Sequence, residues 1–164
     1  LEAAGELIAA IRGNITYFHS SRYVSDLANG DICVAAGYSG DIFQAADRAE
    51  EAGRDFTIGY SIPKEGAALW FDMMAIPADA PNTENAHAFI NFILEPEIAA
   101  EISEYVRYAN PNAAANEFIS EELLNDPAVY PETDVLQNLY VAVEKPQEVQ
   151  RARTRIWNRV KSGR

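Results

Sequence analysis

The residues best suited to chemistry in this sequence are two aspartates, each standing close to an aromatic residue. Asp72 is the only charged residue in the run GAALWFDMMAIP, and it follows Trp70 by two positions. Asp41 ends the sequence YSGD, three positions after Tyr38. Charged side chains are almost never fully buried unless they are paired. Each aspartate therefore calls for either a cationic ligand or a structural hydrogen-bond partner.

Two kinds of chemistry fit a carboxylate near an aromatic ring. An ammonium group would pair with the carboxylate and contact the ring face, a cation–π interaction worth about 0.5–2 kcal/mol. Alternatively, two carboxylates could act as an acid and a base, as in glycoside hydrolysis. The sequence has no GxSxG, P-loop or dinucleotide-binding motif, and its two histidines and one cysteine lack metal-ligand spacing. These observations favour a binding site without catalytic residues, cofactor or metal.

The elements that must position these residues alternate between helix and strand over the first sixty residues, which indicates the α/β class. Helices are expected over residues 1–12, 21–30 and 39–53, the second ended by the Asn29-Gly30 pair. The apolar run DICVAAGY reads as a buried strand of a parallel sheet, and DFTIGYSIP and GAALWFDMMAIP read as extended segments. If residues 70–72 are in a strand, Trp70 and Asp72 point to the same face.

Helices dominate the second half of the predicted chain. One is expected to begin after Asn82 or Thr83, and Pro96 suits the first turn of the next. Ser120 is followed by two glutamates that suit a helix start. The chain ends in a basic helix.

The charge of the chain is acidic, with 25 acidic and 13 basic residues and a net charge of −12. Such a surface disfavours nucleic acid and anionic membranes and favours cationic ligands, although it also serves solubility alone. Seven of the basic residues lie in residues 145–164, where an apolar stripe at helical spacing predicts a docked helix rather than a nucleic-acid arm. No apolar run approaches the roughly 20 residues of a membrane span. The first residues lack a signal-peptide pattern and are expected to come from the interior of a longer protein.

Three stretches closely resemble one known family: YFHSSRYVSDLANGDICVAAGYSGDIFQAADRAEEA, YSIPKEGAALWFDMMAIPADAPN and RTRIWNRVKSG. They are similar to the periplasmic polyamine-binding proteins, the putrescine and spermidine receptors of bacterial ABC importers. The resemblance covers essentially all 164 residues in order. It implies an α/β, two-lobed periplasmic-binding-protein (type II) fold, of which this chain is only the C-terminal half.

The resemblance also implies a polyamine-binding site. By the family's pattern, Tyr38 and Trp70 would stack on the ligand, Asp41 and Asp72 would bind its amines, and Tyr108 would be a further aromatic of the cleft. The family often has Trp at the position of Tyr38, so the pocket wall here is expected to be thinner or more polar. Without the resemblance, an aspartate in such a run is more often a turn or hydrogen-bonding residue, and Trp70 and Tyr108 are more often core aromatics.

The domain organisation expected from the resemblance divides the chain into three parts. Residues 1–60 would belong to the second lobe, 61–111 would return to the first lobe, and 112–164 would be C-terminal helices packed on the second lobe. Pro63 and Asn112 are hinge candidates.

The remaining residues singled out have structural interpretations. Cys33 is expected either to be a small core residue on a buried strand or, in a secreted protein, to have a disulfide partner elsewhere. By the resemblance, that partner would lie in the half that this chain lacks. Phe71, Met73, Met74 and Ile76 are expected in the core.

The predicted function is the capture of polyamines in the periplasm and their delivery to the permease subunits of an ABC transporter, with no enzymatic activity. The mature receptor would have lost its signal peptide. A receptor for another small cationic or amino-acid ligand is the alternative, but an amino-acid site needs an arginine, and only Arg107 lies near a candidate segment. A carboxylate-pair hydrolase is the least favoured reading.

Overall fold

Helices form most of the regular structure in residues 1–163, which the computed structural model describes. They are joined by irregular segments, two 3₁₀ turns and one short pair of parallel strands. The helices are α1 (Glu2–Ala10), α2 (Arg22–Asn29), α3 (Ser39–Glu51), α4 (Thr83–Ile93), α5 (Pro96–Val106), α6 (Glu121–Leu124), α7 (Thr133–Leu136) and α8 (Gln147–Ser162); the 3₁₀ turns are Arg12–Asn14 and Ala113–Glu117; the strands are β1 (Ala68–Leu69) and β2 (Tyr140–Val141). No helix of this part of the chain is both long and apolar enough to cross a membrane.

The helix boundaries follow from local signals that the sequence already carries. Gly30 ends α2 in the left-handed conformation, with φ of 80°, which a residue without a Cβ adopts freely. Pro96 occupies the first turn of α5, where its missing N–H is not needed. The side chain of Ser120 caps α6 by accepting a hydrogen bond from the N–H of Leu123 at 3.2 Å. These three predictions are confirmed.

The chain divides into two compact units. The terminal unit comprises Leu1–Ser20 and the residues from Ala142 onward, and it is built on the contact between α1 and α8. Val160 is buried there, and the rings of Phe18 and Trp157 meet edge to face at 4.7 Å. The predicted docked, basic C-terminal helix is therefore present as α8.

The central unit comprises Ser21–Val141 and contains two buried clusters. One joins α2 to α3, and the other joins α5 to the Ala113–Glu117 turn and to α6. The first consists of Tyr23, Leu27, Ala28, Ile42 and Ala45; the second consists of Ala99, Ala100, Ala115, Ile119, Leu123 and Val129.

The strands of the central unit are much shorter than the sequence predicted. β1 pairs in parallel with β2, with Ala68 opposite Tyr140 and Leu69 opposite Val141. Residues 31–38, predicted as a buried strand, form none, and Val34 is 88% exposed. The backbone groups of a strand need a neighbouring strand. Among residues 1–163 no segment pairs with 31–38.

The same reason corrects four predicted core residues. Phe71, Met73 and Met74 are 60%, 86% and 50% exposed, and only Ile76 is half-buried. The interpretation of Cys33 as a core residue is also wrong, because its side chain is exposed and not disulfide-bonded. These side chains are apolar, but within residues 1–163 they are not buried.

Candidate functional site

The start of α3 presents the first two predicted site residues. Tyr38 is the N-cap residue, in the extended conformation, and Asp41 lies in the first helical turn. An acidic side chain there interacts favourably with the positive end of the helix dipole, by about 0.3–1 kcal/mol. The carboxylate of Asp41 therefore lies at the end of α3 that favours a negative charge.

A buried tyrosine of α2, Tyr23, hydrogen-bonds to both residues at the start of α3. The hydroxyl of Tyr23 donates to Oδ2 of Asp41 at 2.5 Å and accepts the backbone N–H of Tyr38 at 3.1 Å. Burial, and next the hydrogen bond to Asp41, raise the pKa of Tyr23 well above its ordinary value. The hydroxyl therefore stays protonated and donates to the carboxylate at every physiological pH.

Three aromatic rings form a continuous wall beside Asp41. The Tyr38 and Trp70 ring centroids lie 5.1 Å apart with planes at 69°, and those of Trp70 and Tyr108 lie 6.2 Å apart at 74°. Such edge-to-face contacts are the favoured geometry for aromatic pairs. Tyr38 and Trp70 keep 46% and 41% of their surface exposed, so the wall is accessible from solvent.

Tyr108 is brought to α3 by the end of α5. That helix stops at Arg107, which adopts the left-handed conformation with φ of 59° and turns the chain. The Tyr108 ring lies directly against Gly40, where an added Cβ would overlap both the ring and the carbonyl oxygen of Val106. Only glycine allows this close approach.

The charges of both aspartates influence the pKa of the Tyr108 hydroxyl. Burial raises its pKa most, followed by the negative charge of Asp41, and the charge of Asp72 adds a smaller effect in the same direction. Hydrogen bonds from the backbone of Asp41 and Gly40 oppose the rise. Asp72 itself is exposed, three residues beyond β1.

The structure therefore brings Tyr38, Asp41, Trp70 and Tyr108 together, and the charge of Asp72 influences the pKa of Tyr108. Residues 70–72 are not in a strand, so the prediction that strand alternation directs Trp70 and Asp72 to one face is wrong. Two contributors, Tyr23 and Gly40, were missed. Tyr23 precedes Asp41 by 18 positions with no local motif to connect them. Gly40 stands within YSGD, but nothing in that local sequence indicates its contact with Tyr108, which is distant along the chain.

Arg107 has a different environment from the five predicted residues. Its guanidinium carbon lies 5.9 Å from the centroid of the Phe43 ring, within cation–π range. Its Nε is buried and makes no hydrogen bond to any residue from 1 to 163. The guanidinium of Arg107 thus packs on Phe43 of α3.

A larger surface hollow of about 620 Å³ lies on α5, away from these residues. It is lined by Glu97, Ala100, Glu101, Glu104, Tyr105 and Phe118. Glu104 already accepts the backbone N–H of Ser120 at 2.7 Å. Its two aromatic side chains, Tyr105 and Phe118, are 82% and 49% exposed, whereas the rings of the aromatic wall contact one another. The aromatic wall is therefore the better candidate. Within residues 1–163, no three His, Cys, Asp or Glu side chains converge to hold a metal ion.

Comparison with known proteins adds evidence independent of this geometry. The family model of the bacterial extracellular solute-binding proteins matches residues 1–131. The chain is 57% identical over 164 residues to the putrescine-binding periplasmic protein SpuD of Pseudomonas aeruginosa (strain UCBPP-PA14), covering 100% of this chain and 45% of SpuD. It is 48% identical over 161 residues to the putrescine-binding periplasmic protein PotF of Escherichia coli (strain K12), covering 98% of this chain and 44% of PotF.

A solved structure matches the fold over almost the whole chain. The spermidine/putrescine ABC transporter substrate-binding protein PotD from Streptococcus pneumoniae superimposes with a TM-score of 0.76 at 29% identity, covering 99% of this chain and 48% of PotD. The predicted α/β type II binding-protein fold is confirmed. The chain spans less than half the length of the relatives it matches.

Proposed function

Because the chain belongs to the bacterial extracellular solute-binding protein family, we propose that the protein containing it captures polyamines such as putrescine and spermidine. The observation that carries the proposal is the solvent-accessible aromatic wall of Tyr38, Trp70 and Tyr108 with two aspartates beside it. The family is one of solute receptors. The choice of ligand rests on this wall and on the names of the similar proteins.

The chemistry of a polyamine matches each part of the site. Its ammonium groups need carboxylates, which Asp41 and Asp72 supply, and its methylene chain needs an apolar surface between them. The edge and face of Trp70 can contact ammonium and methylene groups together. The net charge of −12 adds a long-range attraction for a polycation, which raises the rate of encounter at low salt.

The cellular setting follows the same reasoning. The similar proteins include two named as periplasmic and one named as part of an ABC transporter. We place this receptor in the periplasm, where it would deliver its ligand to the permease subunits of an ABC importer. Closure of two lobes around the ligand would create the surface that the permease recognises. In this proposal residues 1–60 and 112–164 belong to one lobe and 61–111 to the other.

The alternative functions fit the site less well. A hydrolase would use the two aspartates as an acid and a base, whereas the bond from the Tyr23 hydroxyl to Oδ2 holds Asp41 as a fixed hydrogen-bond acceptor. A general acid or base must instead reach the proton it transfers. An amino-acid receptor would need an arginine for the ligand's carboxylate, and the guanidinium of Arg107 packs on Phe43. We therefore propose a binding function without catalysis.

Calorimetric titration of the full-length protein tests the ligand class. Putrescine and spermidine should each bind saturably at a single site, whereas arginine should bind at least a hundredfold more weakly. A glycoside hydrolase assay on the same sample should give no turnover. Tighter binding of arginine than of both polyamines, or no polyamine binding, would overturn the proposal.

A further inference from the structure

The hydroxyl of Tyr23 bonds to two parts of the candidate site, the carboxylate of Asp41 and the backbone N–H of Tyr38. We infer that Tyr23 is a positioning residue for ligand binding, which fixes the Asp41 carboxylate and the Tyr38 backbone in the geometry that receives an ammonium group. The inference rests on the proposed function. Tyr23 itself is 3% exposed, so it acts through its neighbours and not by touching the ligand.

The hydrogen bonds give the hydroxyl a defined direction. It accepts from the N–H of Tyr38 at 3.1 Å and so directs its own proton to Oδ2 of Asp41, at 2.5 Å. Two bonds at one oxygen leave little freedom for the carboxylate to turn. The bond engages Oδ2 of Asp41, and in this inference Oδ1 is the oxygen that pairs with the cation.

Packing fixes the tyrosine as firmly as its hydrogen bonds do. Its ring lies in the buried cluster between α2 and α3 with Leu27 and Ile42. On the other side it contacts the chain just before Tyr38, since a Cβ at Gly37 would lie only 2.5 Å from its Cε2. The ring therefore connects the core of the central unit to the edge of the site.

Preorganisation of this kind matters because a free carboxylate would have to be ordered when the ligand binds. Without the hydroxyl, Asp41 would sample several rotamers, and the N–H of Tyr38 at the helix start would lose its acceptor. The expected result is weaker ligand binding with the charge of the site unchanged.

Tyr23→Phe in the full-length protein tests the inference by calorimetric titration with putrescine. The affinity should fall about tenfold, the fold-change expected for a loss of order 1.4 kcal/mol. Tyr130→Phe is the matched control, because the Tyr130 hydroxyl is also buried but makes no hydrogen bond within residues 1–163. That variant should bind within twofold of the unmodified protein. The binding stoichiometry from the titration reports the fraction of protein that is folded, so partial unfolding can be distinguished from weak binding.

A double-mutant cycle distinguishes positioning from a merely structural role. In an Asp41→Asn background, Tyr23→Phe should weaken binding by less than about twofold, because the charge that the hydroxyl orients is gone. An equal, roughly tenfold loss in both backgrounds would show that Tyr23 only supports the fold and would overturn the inference. So would unchanged affinity of Tyr23→Phe in the otherwise unmodified protein.

A measurement on the unmodified protein keeps the inference testable even if Tyr23→Phe fails to fold. With tyrosine labelled at Cζ, the carbon resonance of Tyr23 should shift on putrescine addition, since the ammonium polarises the carboxylate it bonds. The Tyr130 resonance should stay in place. A binding protein whose Tyr23 resonance does not move refutes the inference alone, whereas absence of any polyamine binding refutes the proposed function and the inference with it.

Discussion

A methyl group added at Gly40 tests how the site is held together. Gly40 is the second residue of α3, and a Cβ there would overlap the Tyr108 ring and the carbonyl oxygen of Val106. Overpacking of this kind costs about 1–3 kcal/mol. Ala is favoured over Gly inside a helix by up to about 1 kcal/mol, which offsets part of that cost. Because the carbonyl is backbone and cannot swing away, we expect Gly40→Ala to lower the free energy of unfolding by about 1–2 kcal/mol.

Urea-induced unfolding of the full-length protein measures this difference, and titration with putrescine measures its effect on the site. Affinity should fall about tenfold, because Tyr108 must move away from Trp70 to admit the methyl group. Gly59→Ala is the control: a Cβ at Gly59 meets open space, so stability should change by no more than about 0.5 kcal/mol. If Gly40→Ala were as stable as the unmodified protein and bound equally well, the close contact between α3 and Tyr108 would not be real.

Three further predictions address the carboxylate, the cysteine and the buried tyrosine. Asp72→Asn should weaken putrescine binding at least tenfold, because an ammonium group of the bound ligand would lose its charged partner; affinity within twofold of the unmodified protein would make Asp72 a structural residue. Cys33, exposed here, should be disulfide-bonded in the full-length protein, so quantitative thiol labelling of Cys33 after denaturation without reductant would contradict the family inference. Folding raises the pKa of Tyr23 above its ordinary value of 10.0. The protonated hydroxyl therefore contributes fully to stability below about pH 10, and this contribution is lost as the pH rises further. The free energy of unfolding should therefore decline above pH 10, and Tyr23→Phe should flatten that decline; identical alkaline profiles would count against the buried hydrogen bond.

Local sequence determined the helices of this protein well. The signals at Gly30, Pro96 and Ser120 act on the residues immediately around them, and each helix begins or ends where they indicate. Helix hydrogen bonds form between residues four apart, so a short stretch of sequence contains most of the information needed.

Strands and buried faces could not be decided in the same way. The run containing Val34 and the run containing Phe71 and Met73 are apolar enough for a buried sheet, yet these side chains are exposed. A strand is completed by a partner that is distant in sequence, and so is the burial of its faces. An apolar pattern alone does not reveal whether that partner is present in the same stretch of chain.

For the candidate site too, the sequence indicates some features and only the tertiary structure shows the others. The residue types that make it chemically suitable, Asp41 and Asp72 among aromatics, were visible in the sequence as charges in apolar surroundings. Only the resemblance led us to expect Tyr38, Trp70 and Tyr108 in one site. The tertiary structure shows the ring contacts that join them into one wall. The chemical character of a side chain depends only on the residue type, so the sequence shows it directly. The hydroxyl of Tyr23 reaching Asp41 depends on how α2 packs against α3, and that packing is set by the whole buried cluster rather than by any local run of residues.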